Sequence, residues 1–300
     1  MLRSAALSRL RRWLPLLFGA TVQLVATKAQ AWGDDGHRVV GELAFRQLSP
    51  GAQAAVKECL IEPGYETLAE AATWPDTYAR RFPEYDAMKS FHYVNVDHRA
   101  ARYDQKRDCA VGCVVTALGQ FVALLESQDP PLSLSERRRA IYWISHFVGD
   151  IHQPLHVAHP DGKGGTATYL RFFEVPDKRH AHWIWDFGLI ERRPPPTAAI
   201  QASIATDQPL YRALADEIGL LITPEKRRAW QRVATAEAIA NEGLLLSRRY
   251  AYLTSTDHVD ASYEASRWPV VKEQLAKAGV RLAAILERAL LGLGPQQTTR

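Results

Sequence analysis

The sequence lacks several features that would assign a protein to a class at once. No low-complexity tract, internal repeat or break in composition divides it, so a repeat or multidomain architecture is not indicated. Sustained alternation of apolar and polar residues over several strands is also absent, which excludes a predominantly β fold. Three cysteines in 300 residues are too few to define a compartment, although they do not conflict with export.

The apolar run near the amino terminus is too short and too interrupted for a membrane-spanning helix, which needs about 20 apolar residues. This run, Trp13 to Ala26, follows four arginines and precedes Ala29-Gln30-Ala31, a small-residue cleavage pattern. We therefore predict a signal peptide over residues 1–31 and export to the periplasm or the cell exterior. An N-terminal membrane anchor is the alternative, and Arg11-Arg12 leaves the twin-arginine route open.

Net charge gives no sign of a nucleic-acid partner once the leader is set aside. The whole chain carries +4 at pH 7 and has a pI near 8.9, but residues 1–31 contain five cationic residues and no acidic one. The remainder of the chain is therefore close to −1. The basic character belongs to the export signal and not to a binding surface.

Helical periodicity dominates residues 32–300, which we predict to be a single compact all-α, multi-helix domain. Ser133 or Ser135 can cap the longest central helix, a short hairpin is the most β-structure expected around Thr166–Glu174, and the Pro-rich residues 192–197 are interpreted as a loop. Apolar residues recur every three or four positions over 37–49, 50–60, 111–127, 134–153, 208–220, 225–249 and 269–291.

The spacing of the cysteines allows one local pair. Cys109 and Cys113 are close enough in sequence to form a disulfide in an oxidising compartment, which leaves Cys59 without a partner. We expect Cys59 to be a buried thiol.

Histidine and aspartate residues with metal-ligand character recur along the chain. His146 and Asp150 are four residues apart, as are His182 and Asp186, so each pair can lie on one helix face. His156 follows Pro154, which favours a helix end just before it and a return of the chain toward Asp150. A single His–x–x–x–Asp pair is usually a surface or core contact, but two of them together with a third histidine indicate zinc binding.

Trp32 follows directly after the predicted cleavage site. Its free α-amino group would have a pKa of about 7.7–8, which a metal can deprotonate far more easily than a lysine. The carbonyl oxygen of Trp32 can close a chelate, and His37 follows five residues later. An ordinary buried tryptophan is the alternative interpretation.

These motifs resemble the S1/P1 nuclease family of zinc-dependent single-strand-specific nucleases. The matching segments keep the family's order and spacing over most of residues 32–300. They are W-G-x-x-G-H (Trp32 to His37), W-P-D (Trp74 to Asp76), H-Y-V-N (His92 to Asn95), H-x-x-x-D-x-H-Q-P-L-H (His146 to His156), H-x-x-W-D (His182 to Asp186) and the closing helical stretch 269–286.

The resemblance implies a helical fold with three zinc ions at the bottom of a cleft. One ion would take Asp76, His92, His146 and Asp150. A second would take the amine and carbonyl of Trp32, His37 and the other oxygen of Asp150, which is thus the bridge. A third would take His156, His182 and Asp186 and keep open positions, as catalytic zinc does.

The resemblance also implies a reaction and its substrates. Metal-activated hydroxide would attack phosphorus in single-stranded DNA or RNA, and zinc would stabilise the leaving 3′-oxygen, giving 5′-phosphorylated products. Activity on 3′-nucleotides is expected as well. Asp76 would help orient the nucleophile, and Arg80 or Arg81 would steady the developing charge, although the spacing from Asp76 is shifted by one residue.

Tyr93 would stack on a base and Asn95 would bind a base edge, with core packing as the alternative for Tyr93. Trp183 and Trp185 are expected to be walls of the metal site. No protein partner is implied, and we expect a monomer with no membrane span after cleavage.

Two departures from the family pattern lie near the third ion. Thr166 stands where the family has an asparagine after the glycine pair, and His180 stands in place of a second asparagine. Loss of these amides could change ligand orientation and pH optimum. His180 competes with His182 as a ligand, but only His182 is four residues from Asp186. The other histidines, expected to be solvated or to lie behind the ligands, are His98, His152, His159 and His258.

Two other functions fit part of the pattern. A zinc-dependent phospholipase C shares the fold and the ligands, so the ligands alone cannot separate it from a nuclease. The exact sequences of the W-G-x-x-G-H and HQPLH motifs favour the nuclease. A zinc-binding protein without turnover is the second alternative, and the open third site argues against it.

Overall fold

A computed structural model of the chain describes residues 32–127, 131–193, 209–233, 235–254 and 256–292. The predicted signal peptide and the prolines at 194–196 lie outside these ranges. No helix within them is long and apolar enough to cross a membrane.

Helices make up nearly all of the regular structure, which confirms the predicted all-α class. In the described ranges, two π-helical turns (Ile184–Gly188 and Ser247–Ala251) and three 3₁₀ segments (Ala79–Arg81, Pro83–His92 and Pro154–His156) supplement the α-helices. The α-helices are α1 (Asp34–Gln47), α2 (Pro50–Cys59), α3 (Leu68–Ala71), α4 (Trp74–Thr77), α5 (Gln105–Asp108), α6 (Val114–Glu126), α7 (Leu134–His152), α8 (Ala181–Trp183), α9 (Leu189–Arg192), α10 (Leu210–Gly219), α11 (Pro224–Gln231), α12 (Ala236–Leu246) and α13 (Ala261–Leu291).

The long helices α1, α7 and α13 form the centre of the packing. α13 packs most extensively against α1 and also contacts α7, while α7 lies against α6 on another side. Residues 140–152 of α7 are all buried, so this helix is surrounded by protein. A polar residue on this stretch of α7 therefore lies in the interior, where it needs a partner.

Helix starts follow local capping chemistry. Ser133 caps α7: its hydroxyl accepts from the Glu136 amide while the Glu136 carboxylate accepts from the Ser133 amide, a complete capping box. The prediction of one continuous helix over 225–249 was wrong. The segment forms two helices, because the Thr235 hydroxyl caps a new one. The last helix starts at Ala261, earlier than predicted, because Asp260 caps it and Pro269 is accommodated inside.

A small sheet replaces the predicted hairpin. β1 (Tyr169–Phe172) pairs antiparallel with β2 (Arg179–His180) and parallel with β3 (His258–Val259). The first strand lies within the predicted 166–174 segment, but its partners lie outside it. The parallel partner comes from far along the chain, so short-range pattern could not indicate it.

The cysteines are arranged as predicted. Cys109 and Cys113 form a disulfide, and Cys59 is a free, buried thiol. Cys113 directly precedes α6, whose first residue, Val114, donates from its amide to the Tyr93 carbonyl at 3.1 Å. The disulfide therefore fixes the chain beside the His92-Tyr93 segment.

Candidate metal centre

Asp150, on the buried face of α7, is the centre of the site. Its Oδ1 lies 3.7 Å from His37 Nε2 and 3.7 Å from His156 Nδ1. Its Oδ2 lies 3.1 Å from His92 Nδ1 and 3.3 Å from His146 Nε2. The two oxygens of one carboxylate thus face different histidines, which is the arrangement that a bridging ligand requires.

The predicted side chains converge in three groups. Within each group, one possible ligand atom per residue lies within 4.8 Å of those of the other residues. We name them the first group (Asp76, His92, His146), the second group (His37, His146, Asp150) and the third group (His156, His182, Asp186). His146 belongs to two groups, which the sequence alone did not indicate.

Backbone carbonyls orient three of the histidine rings in the same way. In each ring Nδ1 lies at hydrogen-bonding distance from a carbonyl, so Nδ1 carries the proton and Nε2 keeps its lone pair. The pairs are His146 with Ala72 at 2.8 Å, His156 with His92 at 2.8 Å, and His182 with Gly164 at 2.7 Å.

The second group depends on close approach of two helices. The His37 ring, on α1, stacks on the His146 ring with centroids 4.0 Å apart and planes 10° from parallel. Gly149 on α7 makes room for it, since a Cβ there would lie 2.7 Å from His37 Nδ1. Any larger residue at 149 would displace the ring.

The third group is carried by short elements. His182 lies in α8, and Asp186 lies in the π-helical turn that follows. His182 Nε2 is 3.2 Å from Asp186 Oδ2. Gln153 is fully buried at the end of α7 and donates to Asp186 Oδ1 at 2.5 Å, while its own Oε1 accepts from the Leu155 amide at 2.5 Å. Sequence reasoning missed Gln153, although its place between Asp150 and His156 was a signal.

The loop that holds His182 needs glycine. Gly164 has φ +61°, and a Cβ there would lie 2.7 Å from the Leu155 carbonyl and 3.0 Å from His182 Nδ1. Asp161 organises the same loop by accepting from the amides of Lys163 at 2.8 Å and Gly165 at 3.0 Å. The carbonyl that orients His182 is therefore fixed by local backbone geometry.

The two departures from the family pattern have local roles. Thr166 donates from its hydroxyl to the Lys163 carbonyl at 2.9 Å. His180 accepts from the Trp183 amide at 2.9 Å and so caps α8. Because His180 is occupied as a cap, the geometry places His182 and not His180 in the third group.

Burial sets the charge states of the groups. Burial lowers the pKa of His182 to about 4, and burial together with neighbouring histidines holds the pKa values of His37 and His156 well below the ordinary value. Burial raises the pKa of Asp186 well above its ordinary range and also raises that of Asp150. Neutral rings keep free lone pairs, and a buried carboxylate needs a nearby cation to stay ionised.

The site is suited to cations because many of its donor atoms have no protein partner. Within the described residues, these buried atoms meet no hydrogen-bond partner in suitable geometry, which is costly without an ion. They are Nδ1 and Nε2 of His37, both carboxylate oxygens of Asp150, Nε2 of His156 and Nε2 of His182. The imidazole and carboxylate ligand set fits Zn²⁺.

The chain enters this region through Trp32 and Gly33. The Trp32 ring is fully buried, and the Gly33 amide donates to the Asp186 carbonyl at 2.8 Å. A pocket of about 310 Å³ opens beside them, with Asp34 and Phe187 among its lining residues. The residue after Trp32 thus contacts the backbone of the third group, and the burial of Trp32 suits both the predicted ligand and an ordinary buried aromatic.

Asp76 carries an arginine partner. Arg80, one helical turn later, forms an ion pair with Asp76 Oδ1, whereas Arg81 is exposed. Burial opposes ionisation of Asp76, but His146, His92 and Arg80 together lower its pKa. Of the two candidate arginines, the structure brings Arg80 to the first group.

The aromatic residues near the site divide into exposed and buried. Tyr93 is 39% exposed, so core packing was the wrong alternative for it, and Asn95 is exposed two residues later. Trp185 is fully buried and donates to the Tyr263 hydroxyl at 3.1 Å. Trp183 is partly buried and packs on Phe172.

Besides His180, four histidines stay outside the three groups, as expected. Two of these four are buried, and the other two are wholly or partly exposed. His152 is buried, and its Nε2 lies 2.8 Å from Arg281 Nη1. His159 is also buried and lies 2.9 Å from Asp161. His98 is partly exposed and His258 is exposed.

The fold and the site together define a helical protein with a buried His/Asp centre that can hold several metal ions. Residues 32–291 match the family model described as S1/P1 Nuclease. The chain belongs to the S1/P1 nuclease family and is a hydrolase of the nuclease class.

Individual relatives agree with this assignment. Endonuclease 2 of Arabidopsis thaliana is 31% identical over 278 residues, which cover 88% of this chain and 92% of that protein. Nuclease S1 of Aspergillus oryzae is 28% identical, with 92% and 97% covered. Nuclease P1 of Penicillium citrinum is 28% identical over 156 residues, with 51% and 56% covered. The family assignment decides against the phospholipase and the non-catalytic alternatives.

Proposed function

We propose that the protein is a zinc-dependent endonuclease that hydrolyses single-stranded DNA and RNA to 5′-phosphorylated products and also acts on 3′-nucleotides. The observation that carries this proposal is the convergence of buried donor atoms without protein partners around the two oxygens of Asp150. Such a centre can hold ions close enough together to act on one phosphate.

Three zinc ions would be held by the residues of the three groups. The first and second sites would share Asp150, and Trp32 would complete the second site through its freed amine and its carbonyl. His156, His182 and Asp186 would supply the third. When bound, zinc supplies Lewis-acid chemistry, which lowers the pKa of water and stabilises charge on phosphate oxygens.

The protein residues around the centre supply positioning and charge. Asp76 accepts a hydrogen bond from water and orients it toward phosphorus, and Arg80, already held beside Asp76, stabilises the negative charge that develops on the phosphoryl oxygens. The bond from phosphorus to the 3′-oxygen breaks, so the phosphate stays on the 5′ side of the next nucleotide.

Preference for single strands follows from access to a buried centre. His146, Asp150 and His182 are almost fully buried, so only a strand that can bend brings a phosphate to them. Tyr93, exposed directly after His92, would stack on an unpaired base, and Asn95 would bind a base edge. A duplex offers neither a flexible phosphate nor a free base face.

Export would complete the site. Cleavage before Trp32 creates the amine ligand, and the Cys109–Cys113 disulfide suits an oxidising compartment. We propose a periplasmic or extracellular protein that acts as a monomer. Mass spectrometry of the protein from an exporting host would test the cleavage site, and light scattering would test the monomer.

The decisive experiment compares substrates under metal control. Protein whose chain starts at Trp32 is incubated with single-stranded DNA, RNA, duplex DNA, a 3′-nucleotide and phosphatidylcholine, with and without a chelator. Chelator-sensitive cleavage of the single strands to 5′-phosphate ends is expected. Cleavage of lipid without cleavage of nucleic acid, or ends with 3′-phosphates, would contradict the proposal.

A further inference from the structure

Two aromatic residues stand out on the surface. Among the described residues, the large apolar side chains classed as exposed are aliphatic except for Tyr93 at 39% and Tyr169 at 50%. Tyr93 follows a residue of the first group. Tyr169 has no role in the function proposed above.

Tyr169 is connected to the third group through ring contacts. It is the first residue of β1 and pairs with His180 of β2. Its ring lies 5.7 Å from the His180 ring, nearly perpendicular to it, and the His180 ring lies 6.3 Å from that of His182. The exposed face of Tyr169 is therefore two ring contacts from a predicted metal ligand.

Two exposed cationic side chains lie on the segments around Tyr169. Arg171 is exposed two residues later, and since strand side chains alternate, it lies on the same face of β1 as Tyr169. Lys163 is exposed directly before Gly164, whose carbonyl orients His182. Within the described residues neither cation forms an ion pair, so both charges are available to a ligand.

The acids of this segment form no ion pair with these two cations within the described residues. Asp161 is engaged inward, since Oδ1 accepts from two loop amides and lies 2.9 Å from His159 Nδ1. Oδ2 accepts from the Ala167 amide at 3.3 Å. Glu174 is exposed beyond the end of β1, two residues after the buried Phe172. The surface beside the third group thus combines one aromatic face with two unpaired cations.

We propose that Lys163, Tyr169 and Arg171, which we call the Tyr169 strip, bind the substrate strand beyond the cleaved phosphate. A base stacks on Tyr169, and Lys163 and Arg171 contact backbone phosphates. This inference rests on the proposed nuclease function and deepens it. An exposed aromatic ring with unpaired cations on the same segments suits the alternating bases and phosphates of a single strand, whereas we expect a mononucleotide bound at the metal centre not to reach Tyr169, which is two ring contacts from His182.

The test compares a short with a long substrate. Tyr169→Ala is expected to lower kcat/KM on a single-stranded homopolymer by about five-fold or more, the low end of the effect of losing one base stack. Activity on a dinucleotide stays within about two-fold of wild type, because the strip is not reached. Tyr169→Phe keeps the stacking face and is expected to restore the homopolymer rate.

Arg171→Ala tests the proposed contact between the strip and the backbone phosphates. Binding of a labelled oligonucleotide, measured by anisotropy in the presence of chelator, is expected to weaken, and the slope of log affinity against log salt is expected to decrease by about 0.7. Arg139→Ala, at an exposed arginine of α7 that forms no ion pair within the described residues, is the matched control and is expected to leave the slope unchanged.

Specific results would overturn the inference. Equal losses on dinucleotide and homopolymer would mean that Tyr169 acts only by supporting His180. Unchanged homopolymer rates and unchanged oligonucleotide binding would mean that the strand does not contact the strip. A wild-type protein that binds the oligonucleotide through the strip but cleaves no nucleic acid would refute the proposed function and leave this inference standing.

Discussion

The two halves of the metal centre are built in different ways. The first and second groups draw three of their five ligands, His37, His146 and Asp150, from the long helices α1 and α7, whose packing is part of the core. The other two, Asp76 and His92, come from short elements. The third group lies on the 3₁₀ segment that follows α7, a three-residue helix and a π-helical turn, and it relies on Gln153 and on the Gly164 carbonyl for orientation. One half is fixed by helix packing and the other by a few specific hydrogen bonds.

This difference predicts how each half fails. A change in the helical half removes a ligand from a rigid frame and affects every ion that shares it. A change in the third group should remain local, because its supporting contacts come from a loop and a helix end.

Asp150→Asn should have the largest effect. The amide keeps the size of the side chain but not the negative charge on both oxygens, so two ions should be lost together. Replacing a residue that only hydrogen-bonds to a metal ligand typically lowers metal affinity or activity by about 10–100-fold. We expect loss of this shared ligand itself to lower activity by more than about 100-fold. Metal content measured by mass spectrometry is the primary readout.

His182→Ala is the companion to that variant. His182 belongs to the third group alone, so mainly one ion should be lost while the other two are retained. Thermal unfolding of both variants controls for misfolding. If both variants lost the same number of ions, the shared role of Asp150 would be wrong and the two halves would not be separable.

An extra residue before Trp32 should have the next largest effect. A peptide bond at this position removes the basic amine, so the second site loses a ligand pair that no side chain replaces. We expect a clear loss of zinc and of turnover, measured on protein with an uncleaved residue at the front. The control carries the same residue at the carboxyl end, and equal zinc content in the two proteins would refute the amino-terminal ligand.

The helical half was accessible from the sequence, and the supporting contacts of the third group were not. Spacing of four placed His146 with Asp150 because a helix brings such residues onto one face. The same rule chose His182 over His180, but it could not reveal that His180 caps α8. Gln153, Gly164 and the parallel strand β3 act through contacts between distant parts of the chain, which no local pattern records.

Gln153→Leu should weaken the third group selectively. Leucine keeps much of the buried volume but removes the donor to Asp186, leaving that carboxylate with fewer partners. We expect zinc affinity at the third site to fall by about 10–100-fold, with the first two sites little changed, as seen by stepwise zinc titration. Gln274→Leu, at an equally buried glutamine on α13, is the matched control, and a similar loss there would indicate a general packing effect.

Removing the disulfide should have the smallest effect on the centre. Cys109 and Cys113 close a short loop beside the His92-Tyr93 segment, and a loop of this length stabilises the fold by about 2 kcal/mol. We expect the double serine variant to lose about this much free energy of unfolding, measured in denaturant, while it keeps its zinc. Because the helical half is held by core packing and not by this covalent link, loss of zinc from the first group in this variant would show that the segment carrying His92 depends on the disulfide, and the contrast between the two halves would then have to be redrawn.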